Sequence, residues 1–336
     1  MFQLSDLKRP VIVAPMAGGA STPELVSAAA AAGGMGFLAA GYKSVDALTD
    51  QISTVRSLGA DPFGVNLFVP DPRPADLEAA RRYRHQLAPL AEHYGIELPE
   101  PRQDDDGWSR KVEALLDLAV PAVSFTFGCP DAEVVRRFRE RGTTTIATVT
   151  NADEATQAEG VGVDVLALQG PDAGGHRATF DARQDPSGQP LTELFDQVAT
   201  RASLPTIVAG GITTRQDVSG WLERAAAVQL GTAFLDADEA GTQPAYRQAL
   251  HETSYTETAL TRAFSGRWAR GLRNEFIDRY SALAPDAYPA VNQLTGALRG
   301  AAGRAGDAQN LSLWAGTGWR SMPSGSTAAI MAGLTD

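Results

Sequence analysis

Ile207-Val-Ala-Gly-Gly-Ile212 and, about twenty residues later, Val228-Gln-Leu-Gly-Thr232 are two short apolar runs that both end in glycine. Runs of this length and composition read as buried strands, and glycines at their ends read as tight turns. In a closed parallel α/β barrel, a phosphorylated ligand is held by the loops after strands seven and eight. Glycine there lets backbone N–H groups approach, and a helix N-terminus adds partial positive charge. Gly210, Gly211, Gly231 and Thr232 occupy those slots. Ordinary turn glycines with positive φ would account for one pair, but not for both pairs at those two strands.

The rest of the chain supplies the other strands. Val11–Ala14, Met35–Ala39, Phe63–Leu67, Ala122–Phe125, Thr145–Val149 and Val163–Gln169 precede Thr206–Ala209 and Ala226–Leu230, making eight. Each run is apolar on both faces, as a strand must be when helices cover one side and packed side chains fill the other. Helical spacing is present at Pro23–Ala32, Ser44–Leu58, Trp108–Leu118, Asp131–Arg141, Asn151–Glu159, Thr192–Ala202 and Thr214–Glu223. Ser44, Asp131, Asn151 and Thr213 are placed to cap their helices, and Pro23 suits a first helical position.

The alternation predicts an α/β fold, a TIM (β/α)8 barrel over residues 1–235. Two stretches interrupt it. Residues 69–107, with four prolines up to Pro89, an amphipathic run at Ala75–His93 and the acidic Asp104-Asp-Asp106, read as an insertion after the third strand. Residues 236–336 read as a smaller, mainly helical lobe and C-terminal segment covering the substrate, because barrel sites lie at the strands' C-terminal ends where such segments emerge.

Composition narrows the function. Cys129 is the one cysteine, so no internal disulfide forms, and with four histidines the chain has no Cys-rich zinc site. A net charge of −11 opposes nucleic acid. No run approaches the ~20 apolar residues of a membrane span, and the first ten residues lack the basic-then-apolar order of a signal peptide. The expectation is a cytoplasmic enzyme, monomer or homodimer, acting on a small molecule without metal, nucleic acid or membrane.

Leu168-Gln-Gly-Pro-Asp-Ala-Gly-Gly-His-Arg177 leaves the sixth strand and carries His176 behind Gly174-Gly175. An imidazole at the barrel rim can take a proton from a carbon acid, or hold an anion when protonated. A histidine in a glycine-rich loop is otherwise a surface turn residue. His85 and His93 read as solvated and His251 lies in a polar stretch; none has ligand spacing to another. Val13-Ala-Pro-Met-Ala-Gly-Gly19 and Gly64-Val-Asn-Leu67 place Ala14, Met16 and Asn66 at the barrel mouth, where a flat ring could rest. Core packing is the equal alternative for Met16, whereas Asn66, an amide in an apolar strand, needs a partner. Cys129 reads as structural, with Gly128 and Ser124 the site-lining residues of that segment.

These segments, in this order, resemble the class I nitronate monooxygenases, long called 2-nitropropane dioxygenases. The matching motifs are Ala14-Pro-Met-Ala-Gly-Gly19, Val123-Ser-Phe-Thr-Phe-Gly-Cys-Pro130, Gln169-Gly-Pro-Asp-Ala-Gly-Gly-His-Arg177, Ala209-Gly-Gly-Ile212 and Gln229-Leu-Gly-Thr-Ala-Phe234. More particular to the class are Thr261-Arg-Ala-Phe-Ser-Gly-Arg-Trp-Ala-Arg-Gly271, Tyr288-Pro-Ala-Val-Asn-Gln-Leu-Thr295 and Leu313-Trp-Ala-Gly316. Ala178 and Thr317 depart from the family, which usually has Gly and Gln there.

The resemblance implies non-covalent FMN, with its phosphate at Gly210, Gly211, Gly231 and Thr232 and its ring near Ala14, Met16, Asn66 and Gln169. Gly174, Gly175 and Gln229 join the implied cofactor-binding set. It further implies oxidation of alkyl nitronates, or of nitroalkanes, by O2 through a flavin semiquinone to a carbonyl compound and nitrite. His176 matches the residue that deprotonates neutral nitroalkanes. The alternatives are an NAD(P)H-dependent flavin reductase, of quinone or enoyl-thioester type, and a flavin-free barrel for a sugar phosphate. Arg267 and Arg270 stand either as anion partners or as a solvated basic face.

Overall fold

Eight short strands whose side chains are buried on both faces can satisfy every backbone group only by pairing edge to edge until the sheet closes. The computed structural model, which describes residues 1–336, shows that closure. The strands, in chain order, are β1 (Val11–Val13), β2 (Met35–Ala39), β3 (Gly64–Phe68), β4 (Ala122–Thr126), β5 (Thr144–Val149), β6 (Val165–Gln169), β7 (Gly175–His176), β8 (Thr206–Ala209), β9 (Ala227–Leu230), β10 (Thr258–Thr261) and β11 (Ala269–Leu272). All except β7, β10 and β11 form the parallel barrel, which β9 closes onto β1 with Val11 opposite Val228. The other three make a small antiparallel sheet in the order β10-β11-β7.

The helices are α1 (Pro23–Ala31), α2 (Val45–Ser57), α3 (Leu77–His93), α4 (Trp108–Leu118), α5 (Ala132–Glu140), α6 (Ala152–Gly160), α7 (Leu191–Ala199), α8 (Arg215–Leu222), α9 (Pro244–His251), α10 (Glu275–Tyr280), α11 (Ala290–Arg304) and α12 (Thr327–Thr335). Ser44 and Asn151 cap as expected, accepting from Ala47 and Glu154 N–H. Two expected caps fail. Asp131 makes no side-chain cap bond, and α8 is capped by Thr214 rather than Thr213, because Thr214 and Asp217 form a reciprocal capping box.

The barrel interior is filled by Ile12, Met35, Phe37, Ile146, Val165 and Ile207, and plugged from below by Leu4 and Leu7. Gly64 makes room for this packing: a Cβ there would lie 2.2 Å from the Phe37 ring. With the lower end sealed, the open end is the C-terminal one.

The cover over that end has two sources. Helix α3, from the inserted stretch, packs on α11 through a core that includes Tyr83, Leu87, Phe276, Val291 and Leu294. Helix α12 returns to the barrel, packing against α1 and α8 and completing the outer ring of helices. No helix is long and apolar enough to cross a membrane.

Candidate functional site

One cavity of about 590 Å³ opens at the strand ends, within the usual range of ligand pockets, ~300–1,000 Å³. Ala14, Met16, Asn66, Gln169, Gly174, Gly175, His176, Gly210, Gly211, Gln229, Gly231 and Thr232 all stand on its wall. Residues read separately from five strand ends thus meet at one place.

At one end of the wall the chain presents its backbone. The amides of Gly210, Gly211 and Gly231 donate to nothing within the protein. Gly210 and Gly211 adopt φ of +102° and +74°, which turn those amides away from the strand. A Cβ on Gly210 would lie 2.9 Å from Ala173 N, so the turn admits no side chain. The Thr232 hydroxyl accepts from Gly316 N–H at 3.0 Å and keeps its own proton to donate. Unpaired donors in a narrow turn suit a phosphate.

Beside them the wall becomes flat and apolar at Ala14 and Met16. Asn66 is buried, and its Nδ2 donates to Ser124 O at 3.3 Å and to the hydroxyls of Ser124 and Thr126 at 2.9 Å. A carbonyl only accepts, so the amide nitrogen faces β4 and Oδ1 is left toward the cavity as an acceptor. Gln169, on the cavity wall, also holds its own loop. Its amide donates to His176 O and accepts from Ala178 N–H, both at 2.9 Å, which leaves one N–H and one oxygen lone pair. Ala178, one of the two family departures, is fully buried at this clamp. The other, Thr317, lies off the cavity wall and donates to Asp172 Oδ1 at 3.1 Å.

Ser124 and Gly128 do not line the cavity; Thr126 and Phe127 do. Ser124 and Thr126 share one face of β4, but Ser124 lies two residues deeper in the barrel with its hydroxyl taken by Asn66, and Gly128 lies against Val69. Phe127 adopts φ of +78°, a costly conformation for a bulky residue, and its ring lies against His176 at a centroid distance of 5.6 Å. The Cys129 thiol is pushed up to about 12 by burial and then by Glu154, so it carries no thiolate chemistry near neutral pH.

His176 sits in the short strand β7, paired with Ala269 of β11. Phe127, Tyr288 and Trp314 surround its ring at 5.6, 6.2 and 5.6 Å. Its Nε2 is 2.8 Å from Ser265 Oγ. Burial first, and then the Arg267 and Arg299 guanidiniums, lower its pKa to about 3, so near neutral pH the imidazole is uncharged and carries a lone pair.

Arg267 and Arg270 do not form a solvated basic face. Arg267 is 2% exposed, donates to Thr179 O at 2.5 Å and lies 4.1 Å over the Phe127 ring. Arg270 is half-buried and bonded to Pro171 O and Thr258 Oγ1, both at 3.1 Å. Arg267 therefore acts as a fixed positive charge beside His176, off the cavity wall.

Several wall residues went unseen in the sequence. Arg299 of α11 has no carboxylate partner; its bonds go to Thr295 O and to Asn292 within its own helix. Tyr42 also lines the cavity; the residue is 41% exposed, and desolvation of its hydroxyl on the cavity wall raises its pKa. Its backbone N–H donates to Asp106 Oδ1 at 2.9 Å, and Asp106 pairs with the buried Lys111 at 2.7 Å. The acidic run noticed in the insertion is thus the anchor that sets Tyr42 in place. His85 and His93 are exposed, and His251 bonds Asp236 at 2.9 Å. No cluster of three or more His, Cys, Asp or Glu could hold a metal ion.

Comparison with known proteins places this cavity in a family. The nitronate monooxygenase family profile matches residues 2–336. A probable nitronate monooxygenase of Staphylococcus saprophyticus is 38% identical over 324 residues, covering 93% of this chain and 90% of that protein. The crystal structure of a nitroalkane oxidase from Streptomyces ansochromogenes superposes with a TM-score of 0.93 at 44% identity, covering 98% of this chain and 95% of that one. FabK from Thermotoga maritima shares the fold, with a TM-score of 0.74 at 24% identity over 98% of this chain and 93% of its own. On the match across its length and the identity to these relatives, the chain belongs to the nitronate monooxygenase family and is a flavin-dependent oxidoreductase.

Proposed function

We propose that this enzyme holds FMN and oxidises alkyl nitronates, including propionate 3-nitronate, with dioxygen to a carbonyl compound and nitrite. The observation that carries the reading is the cavity's division: unpaired glycine amides at one part of the wall, and a neutral histidine in an aromatic box at another. Gly210, Gly211, Gly231 and Thr232 would hold the phosphate, Ala14 and Met16 the ring face, and Asn66 Oδ1 a ring N–H. Bound there, FMN supplies one-electron oxidation and transfer to dioxygen, chemistry that no side chain here can perform.

The protein's own contribution is electrostatic and acid–base. A nitronate is an anion, and Arg267 and Arg299 make this corner positive although the chain as a whole carries −11. With a neutral nitroalkane, His176 would take the proton from the carbon next to nitrogen, leaving the electron pair on the nitro oxygens. The guanidiniums that lower the imidazole pKa also stabilise that anion. Once formed, the anion raises the imidazole pKa again, so the proton is held as an imidazolium–nitronate pair. Phe127, Tyr288 and Trp314 keep water from the pair.

The test is nitrite release from propionate 3-nitronate by FMN-loaded protein without NADH or NADPH. A flavin-loaded protein that releases none overturns the reading. Rapid anaerobic bleaching of the flavin by NADH or NADPH would point instead to the reductase alternative.

A further inference from the structure

We propose that Ser265 is a positioning residue: it holds the proton of His176 on Nε2 and leaves Nδ1 as the lone pair that faces the substrate. The inference rests on the reading of His176 as the site's proton acceptor, and identifies which nitrogen accepts.

The argument is an account of protons at one buried hydroxyl. Ser265 is 2% exposed, and its Oγ has three neighbours: Arg267 N at 3.2 Å, Arg267 O at 3.1 Å and His176 Nε2 at 2.8 Å. A serine hydroxyl has one proton and two acceptor sites. The Arg267 amide can only donate, so it takes one acceptor site. The Arg267 carbonyl can only accept, and Ser265 is its one hydrogen-bond donor, so it takes the proton. The second acceptor site then faces Nε2, which is satisfied only if Nε2 carries a hydrogen. The reverse assignment, with the hydroxyl donating to Nε2, leaves the Arg267 carbonyl without a donor and one serine lone pair unused. Buried polar groups avoid both.

With the hydrogen on Nε2, Nδ1 of the neutral imidazole is the lone pair. That atom bonds to no protein group and is not among the side-chain atoms sealed without a partner, so it opens onto the cavity wall that His176 helps to form. Proton transfer then balances: the substrate C–H bond breaks, its electron pair moves to the nitro group, and the proton arrives on Nδ1. The resulting imidazolium keeps its Nε2–H on Ser265 throughout, and the hydroxyl need not turn.

The supports of Ser265 have the rigidity this requires. It lies between β10 and β11, and the β11–β7 pairing, extended by Arg177 N–H donating to Trp268 O at 2.8 Å, brings it to a histidine 89 residues away. Tyr83 of α3 donates to Ala263 O at 2.9 Å, and Thr295 of α11 donates to Phe264 O, so the loop is held from two sides. Gly266, at φ +82°, lets it press on the neighbouring segment, where a Cβ would lie 2.8 Å from Tyr288 N.

The experiment compares Ser265→Ala and Ser265→Thr with the wild-type holoenzyme. Nitrite release is measured from a neutral nitroalkane and from its preformed nitronate, with the His176 ring nitrogens followed by 15N NMR and assigned through His176→Asn. Ser265→Ala is expected to lose on the order of tenfold to a hundredfold on the neutral nitroalkane, the scale of removing a group that orients a functional imidazole. Turnover of the nitronate, which needs no deprotonation, should stay within about twofold of wild type. The Nε2-protonated signal should give way to a mixture of tautomers, and Ser265→Thr, which keeps the hydroxyl, should restore both readouts. Equal losses on the two substrates, no loss on either, or an unchanged His176 tautomer in Ser265→Ala would overturn the assignment. Absence of nitrite from wild type on the nitronate would sink the functional reading instead, while the NMR comparison would still decide the role of Ser265.

Discussion

The glycine part of the cavity and the histidine part are built from different materials. At the first, the main chain supplies the polar groups: Gly210, Gly211 and Gly231 offer unpaired amides where two barrel strands end, and each turn lies within a few residues of its strand. At the second, side chains from distant segments converge. His176 comes from the loop after β6, Phe127 from the end of β4, Ser265 and Arg267 from the β10–β11 connection, and Arg299 from α11. The turn at Gly210 and Gly211 tolerates little change of residue, because its φ values are positive and a Cβ there would meet Ala173 or Asp172 at about 3 Å. Side-chain sites allow one function to be removed while the rest stands, so substitutions at the two parts should fail in distinguishable ways.

The largest effect is expected at His176. His176→Asn should retain FMN, lose about 10²–10⁴-fold in turnover of neutral nitroalkanes, and keep much of its turnover on nitronates. Parallel rates on the two substrates check this, and equal losses would remove His176 from the role of base. Next is Gly210→Ala, whose Cβ would meet Ala173 at about 3 Å from a backbone that disfavours side chains. FMN affinity should fall by at least about tenfold, the equivalent of 1.4 kcal/mol, with the ratio between substrates unchanged in protein reloaded with excess FMN. Flavin fluorescence titration measures the first and nitrite release the second. A changed substrate ratio would mean that the two parts are not separable.

Arg299→Gln tests the electrostatics more gently. Removing that guanidinium takes away a positive charge that lowers the His176 pKa, so the acidic limb of the kcat/KM profile on a neutral nitroalkane should move to higher pH. A limb that stays in place or moves down contradicts the charge assignment.

The smallest effect concerns stability. His176 titrates at 6.5 when unfolded and at about 3 when folded, so between those values the unfolded chain binds the extra proton. Wild-type stability should therefore fall as pH drops from about 6.5 toward 3. His176→Asn should lose less between pH 7 and pH 5 in urea unfolding; an identical loss would show that the imidazole is not buried neutral.

Much of the architecture was legible in the chain. Strands buried on both faces carry an uninterrupted apolar pattern, and glycine marks the turns that follow, so the barrel and its glycine cradle could be read from neighbours in sequence. The misreadings are local too. Thr214 displaced Thr213 as a cap because Asp217 completes a capping box with it, and Ser124 misses the cavity because it lies one layer deeper than Thr126 on the same face of β4, its hydroxyl taken by Asn66. Gln169 stands on the cavity wall and also holds its own loop, which its position in the sequence did not show.

The catalytic surroundings were less accessible. Arg267 and Arg270 were noticed while Ser265, two residues before Arg267, was not, since nothing in sequence links a serine at 265 to a histidine at 176. Tyr42 and Arg299 carry no motif that distinguishes them from ordinary surface residues. The sequence by itself determined the barrel, the glycine turns after its last two strands and the one histidine at its rim, because those depend on periodicity and on backbone freedom within a few residues. Only the tertiary structure decided which charges surround that histidine and which hydroxyl holds its proton. Electrostatic and hydrogen-bond effects depend on distances of a few ångströms between segments that the chain separates by as much as 123 residues, from His176 to Arg299.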